Sequence, residues 1–178
     1  MKNHSLLLSV FVCLSLISCQ EKIDVAKETE AIKAVIINET TAFDNQQYDA
    51  VIETLAQDSL FTRMTTGKTE YTEVVGWDHM SKWYKEFAVA DLSDYSVERD
   101  RFNWNIKIYP GSAWVVYDQI TRYTYEGNKD YRQTKEIRFL EKKNGEWKII
   151  YLHVIYLSSY EKEELIEYSL IEGPESEK

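Results

Sequence analysis

The sequence predicts an α+β domain, with helices first and an antiparallel meander after them. Apolar residues between positions 31 and 87 recur at helical spacing, and after Asp94 the period switches to two. Asn144-Gly145 then marks a tight hairpin between two β-forming runs.

The elements follow in order. Ile32, Val35, Ile36 and Phe43 form the apolar stripe of a first helix, and Tyr48, Val51, Ile52 and Leu55 that of a second. Trp77, Met80, Tyr84 and Phe87 define a third. Trp83 falls off that stripe, which places it at a rim or against a partner. Phe102, Trp104, Ile106 and Ile108 alternate with Asn103, Asn105 and Lys107, the signature of a half-buried strand. Pro110-Gly111 turns the chain into a strand over about Ala113 to Tyr125, and Gly127-Asn128 into another from Tyr131 to Glu141. After the Asn-Gly turn a strand runs from Trp147 to Leu157. Ser158 with Glu161 reads as a capping box for a last helix to Glu172, packing through Leu165 and Ile166.

The two ends read differently. Lys2 and His4 precede an apolar run from Leu6 to Ile17, too short to span a bilayer but right for a secretory signal. The run ends in Leu16-Ile17-Ser18-Cys19, which resembles the bacterial lipobox; Cys19 would then be lipidated and become the first mature residue. Several acyl chains at about 0.8 kcal/mol per buried methylene hold a protein on a membrane durably. Gln20 beside the cysteine suggests, by the same resemblance, an outer-membrane destination in the cell envelope. The expected organisation is therefore a signal at 1–18, a tether at 19–28, one domain at 29–172 and a tail at 173–178. Cys13 would leave with the signal, so thiol catalysis and disulfide scaffolding are excluded.

Composition narrows the partners. The formal charge is −9, and losing Lys2 with the signal takes it to −10. No basic stripe offsets this, so nucleic acid is excluded as a partner. All five tryptophans lie between Trp77 and Trp147, enough aromatic area for a real core. No phosphate loop, nucleophile elbow or Gly-rich fingerprint appears, and the histidines are too dispersed for a metal site; no cofactor is expected. His79 lies at a helix start, the place of a surface or capping residue.

An Asn-Gly loop fixes hairpin register. Pairing Lys143 with Glu146 and counting back puts Leu140 opposite Ile149, Arg138 opposite Tyr151, and Glu136 opposite His153. One face then carries Glu136, Arg138, Tyr151 and His153, and the other Ile137, Phe139, Ile150, Leu152 and Val154. Hydrophobic logic alone would lay the apolar face against the helices.

Helices followed by a meander ending in "NGEWKIIYLHVIY" resemble the nuclear transport factor 2-like, or SnoaL-like, superfamily, and within it the association domain of calmodulin-dependent kinase. The resemblance covers roughly Glu30 to Tyr156. It implies a cone whose concave sheet face and helices enclose a pocket. In that family an arginine nine residues before the tryptophan points inward, here Arg138, and a tyrosine and a polar residue on the preceding strand match Tyr117 and Gln119. Tyr151 replaces the first histidine of the family's pair and His153 keeps the second. A helix of the kind that starts at Trp77 helps to close the pocket.

The resemblance turns the polar face into a pocket lining and the apolar face into a homodimer surface (Ile137, Phe139, Ile150, Leu152, Val154). Arg138 and Glu136 form most simply a structural ion pair. The sharper expectation is a small polar or anionic ligand held by Arg138, Tyr151, Gln119, Tyr117 and Trp77. A third is isomerase, dehydratase or cyclase chemistry by His153 with Glu136 or Asp118, and a fourth a non-catalytic interaction module.

Overall fold

Asp24 sets the first boundary of the fold: its carboxylate accepts the Lys27 backbone N–H at 3.1 Å and caps helix α1 (Val25–Asp44). The computed structural model describes residues 23–160. The expected tether is thus shorter than 19–28, because Glu28 is already inside the helix and accepts hydrogen bonds from Lys142 Nζ and Trp147 Nε1. Helix α2 (Tyr48–Thr54), strands β1 (Thr62–Thr66) and β2 (Tyr71–Val75), and helix α3 (Trp77–Ala88) follow. Four long strands complete the domain: β3 (Tyr95–Tyr109), β4 (Ser112–Tyr125), β5 (Asn128–Lys143) and β6 (Glu146–Tyr160). Among the described residues no helix is long and apolar enough to cross a membrane.

The strands form one curved, open sheet in the order β2-β1-β6-β5-β4-β3, with the helices against its concave face. The class is α+β, as expected, but the sheet is mixed, since β1 runs parallel to β6. The β1–β2 hairpin has no alternation to betray it: all five β1 residues are half-buried and four of the five in β2 are exposed. Ile32, Ile36, Val51, Leu55, Phe61 and Met80 pack on Ala113, Val115, Leu140, Ile149 and Leu152 as one core. Gln46 donates to the Phe87 and Ala90 carbonyls, closing the C-terminus of α3.

Among the described residues the register shifts at three places, the outermost between Gln133 and Thr134, and the β-bulges at the other two redistribute the side chains around the helices. Asn103 takes a left-handed φ of 53° and interrupts the β3–β4 register between Phe102 and Asn105. Arg99 and Arg101 therefore point inward before it and Trp104, Ile106 and Ile108 after it, while Phe102 pairs with Asp118 on the back of the sheet rather than joining the Trp104 stripe. The second lies at Ile150. Leu140 pairs with Ile149 as the hairpin count requires, but Phe139 then pairs with Tyr151. Beyond that point the count is off by one: Arg138 meets Leu152, Ile137 meets His153 and Glu136 meets Val154. Strand β6 also continues through Ser158 to Tyr160, so Ser158 caps no helix there; the expected helix to Glu172 lies outside the described residues.

Candidate functional site

The concave face carries three ladders of inward side chains across the strands. One runs Arg101–Gln119–Thr134–Tyr156 from β3 to β6, and another Arg99–Thr121–Arg132 from β3 to β5. Arg138, Leu152 and Arg63 form a third, from β5 through β6 to β1. The last turns of α1 cover them with Glu39, Thr40 and Phe43, and α3 adds Trp83. Between them lies a cavity of about 240 Å³. A larger groove, about 580 Å³, separates α1 and α2 from the β5–β6 turn, lined by Ala31, Val35, Ala50 and Trp147 among others, but no unpartnered buried polar atom belongs to its lining residues.

The smaller cavity is the chemically loaded one. Arg138 and Glu136, with side chains each 3 % exposed, bond Nη1 to Oε2 at 2.9 Å. Thr134 Oγ1 and Gln119 Nε2 donate to the other carboxylate oxygen at 2.8 and 3.3 Å. Glu136 is thus held as a structural counter-ion. Arg99 makes a two-point contact with Asp44 at 2.6 and 2.8 Å, and Arg132 pairs with Asp130 at 3.0 Å. Arg101 donates to Thr40 Oγ1 at 2.5 Å, and the Arg63 guanidinium lies 4.9 Å from the centre of the Trp83 ring. Neither has a carboxylate within ion-pair distance among the described residues.

Among the lining residues the buried atoms Glu39 Oε2, Gln119 Oε1 and Arg138 Nε have no partner within the chain, and outside the lining neither do Arg101 Nε and the Tyr117 hydroxyl. Burial, and then the Glu39 carboxylate, push the Tyr84 hydroxyl far above its ordinary value. Tyr117 is raised by burial first, against the opposing pull of Arg138. Both phenols are therefore neutral and able to donate. The Tyr117 ring stacks on Trp104 at 4.3 Å in the core.

Of the expected set the structure brings Arg138, Glu136 and Gln119 into the lining, and Tyr117 lies outside it with its ring 5.8 Å from the Arg138 guanidinium. It leaves out Tyr151 and His153, which the Ile150 bulge sends to the back of the sheet. There Tyr151 donates to Met64 Sδ at 3.0 Å, and His153 Nε2 meets Thr66 Oγ1 at 2.9 Å. The expected His153–Glu136 acid–base pair is therefore not formed. Asp118, also on the back, is bonded by Asn103 at 2.8 Å and paired with Lys135 at 2.6 Å. Trp77 packs edge-on against Phe61 at 6.0 Å and is not part of the lining. Off-stripe Trp83 does reach the rim, stacked on Phe43 at 5.4 Å. Glu39, Arg63, Arg99 and Arg101 went unnoticed in the sequence. The signal for Glu39 was there: it stands three residues after Ile36 and four before Phe43, an acid inside an apolar stripe.

The expected dimer surface is also divided by the Ile150 bulge. Leu152 is fully buried in the core and Val154 packs against it, while Ile137 and Phe139 remain on the back.

No family model matches the chain, and no curated protein is similar to it in sequence. Solved structures do match. A protein from Novosphingobium aromaticivorans assigned as a scytalone dehydratase aligns with a TM-score of 0.62 at 11 % identity, over 84 % of this chain and 97 % of that one. A nuclear transport factor 2-like protein of unknown function from Shewanella oneidensis gives 0.54 at 19 %, over 72 % and 98 %. The hub homology domain of calmodulin-dependent kinase II from Chlamydomonas reinhardtii gives 0.59 at 19 %, over 74 % and 99 %. The chain has the nuclear transport factor 2-like cone fold, which hosts both enzymes and hub domains.

Proposed function

We propose that this is a lipid-anchored envelope protein whose conical domain binds a small anionic ligand on its concave face. The observation that carries the binding reading is that three residues lining one cavity, Glu39, Gln119 and Arg138, each have a buried polar atom without a partner. Buried donors and acceptors are nearly always satisfied, and a group that is not needs a water or a ligand. The surplus of arginine favours an anion. Its source is the aqueous compartment. Five residues separate Cys19 from α1, a reach of at most about 18 Å. The cavity lies toward the opposite end of that helix, where Glu39 stands about 21 Å from Val25 at 1.5 Å per residue, so an anchor on Cys19 would present the site to solvent.

A thermal-shift screen of the purified protein against small carboxylates and their neutral analogues tests this, run beside Arg101→Gln. That variant removes an inward arginine without stranding a carboxylate. A ligand at 100 times its dissociation constant stabilises by about 2.7 kcal/mol. Stabilisation by acids alone, weakened in Arg101→Gln, is the expected result. Absence of any shift in both proteins overturns the reading.

A second reading, catalysis of isomerase or dehydratase type, is favoured by one feature: the unpartnered Glu39 carboxylate lines the cavity and acts electrostatically on the neutral Tyr84 and Tyr117 hydroxyls, a base near acids. Turnover of a bound acid, lost in Glu39→Gln, would establish it.

A further inference from the structure

Building on the ligand-pocket reading, we infer that the ligand is a monoanionic hydroxy acid of about one ring's size, not a plain carboxylate, an amino acid or a dianion. Three independent observations converge on that class.

The first is hydrogen-bond inventory. Arg138 Nε, in the lining, is a donor without an acceptor, which a carboxylate satisfies. Glu39 Oε2 and Gln119 Oε1 are acceptors without donors. A carboxylate carries no hydrogen to give them, so the ligand must bring a donor as well. The second is charge. Asp44, Asp130 and Glu136 neutralise Arg99, Arg132 and Arg138 respectively. That leaves Arg63 in the lining and Arg101, bonded to the lining residue Thr40, against the single carboxylate of Glu39, one positive charge in excess. A hydroxy acid, charge −1, cancels it; an amino acid, charge zero, leaves it standing, and a dianion overshoots. The third is shape. A cavity of about 240 Å³ is below the range that holds drug-sized ligands. Its outer wall is flat and aromatic: Phe43 stacked on Trp83, with Tyr95 and Tyr123 opposite at 5.8 Å from each other. The polar end of the ligand would sit on the arginine floor and its ring against Trp83.

The experiment is titration calorimetry of the purified protein with a matched set: mandelate, phenylacetate, phenylglycine and 1-phenyl-1,2-ethanediol. These share the ring and differ in the hydroxyl, the net charge or the carboxylate. Mandelate is expected to bind at least about tenfold tighter than each of the others, the equivalent of one well-made hydrogen bond or charge. Binding should quench the fluorescence of Trp83, a response absent from Trp83→Phe. In Glu39→Gln the cavity carries one more positive charge, and phenylmalonate should gain on mandelate. Equal binding of phenylacetate and mandelate overturns the hydroxy-acid class while leaving an anion pocket in place, and phenylglycine binding tightest overturns the charge argument. If all four fail while a small aliphatic acid stabilises the protein, the ring class is wrong and the pocket reading stands. The four ligands decide the question on the unaltered protein even if Glu39→Gln does not fold.

Discussion

His153 and Glu136 lie on opposite faces of the sheet, although they belong to adjacent strands and a hairpin count would set them side by side. Glu136 pairs with Val154 facing the helices, and His153 pairs with Ile137 facing away. His153 is thus a residue of the sheet back, held between Thr66 Oγ1 and the Tyr151 hydroxyl. Burial depresses its imidazole below the ordinary 6.5, with Glu136 pulling up and Arg138 pushing down across the sheet. Because the folded value is the lower one, the unfolded chain binds more protons as pH falls below 6.5. Stability contributed by neutral His153 is therefore present above that value and is lost progressively below it. Thermal melts between pH 7.5 and 5 should show a smaller acid-induced loss in His153→Gln than in the parent. Ligand affinity at pH 7.5 should be the same in both proteins; a loss in the variant would return His153 to the site.

The Arg138–Glu136 pair makes a prediction about stability. Each charge is buried and each depends on the other, so removing one strands its partner at a cost of about 3–5 kcal/mol. Arg138→Met should shift urea unfolding by that order. Glu136→Gln in the same chain should recover most of it, because the amide still accepts from Thr134 and leaves no charge behind. Additive losses in the double variant would mean that the two charges are not coupled.

The bulge at Asn103 decides which β3 side chains reach the cavity. Its φ of 53° costs about 1–2 kcal/mol for a side chain unable to support it locally. Asn103→Gly loses only the amide's bond to Asp118, whereas Asn103→Ala adds the backbone cost, so Ala should unfold at lower denaturant than Gly. Equal midpoints would show that the left-handed turn is not what holds Arg99 and Arg101 inward.

Self-association, if it uses the sheet back, depends on a different set of residues from that expected. Trp114, 38 % exposed, lies 6.5 Å from Phe139 ring to ring, with Ile137 on the same face. Phe139→Glu should lower the sedimentation mass of any dimer without unfolding the protein. Leu152→Glu should instead unfold it, since that side chain is fully enclosed. A folded, monomeric Leu152→Glu would restore the undivided apolar face.

The sequence carried the architecture well because periodicity and turn chemistry are local. The helical stripes, the Asn-Gly turn and the residues that end each long strand were readable from short windows. What it hid was parity. A bulge adds one residue to one strand and exchanges the faces of everything beyond it, and neither Asn103 nor Ile150 advertises this in composition. Tyr151 and His153 were consequently assigned to the pocket and Leu152 to the surface. The pocket's charges were hidden for a related reason: Arg99, Arg101 and Glu39 are polar residues at inward positions, which local patterning scores as solvent-facing. Gln119 was legible only through a family resemblance, and Arg138, which the hairpin count set on the polar face, needed that resemblance to be placed inward.

The anchor reading makes the last prediction. Cys19 lies outside the described residues, and its proposed role rests on the Leu-Ile-Ser-Cys stretch after an apolar run. In a bacterial host the parent protein should incorporate labelled palmitate and sediment with membranes, resisting a salt wash. Cys19→Ala should incorporate no label, since it has no thiol at that position to acylate. Because the cavity lies at the far end of α1 from the anchor, a soluble form released by protease within residues 20–24 should bind ligand as tightly as the membrane-bound form. Weaker binding after release would place the membrane next to the site and overturn the orientation.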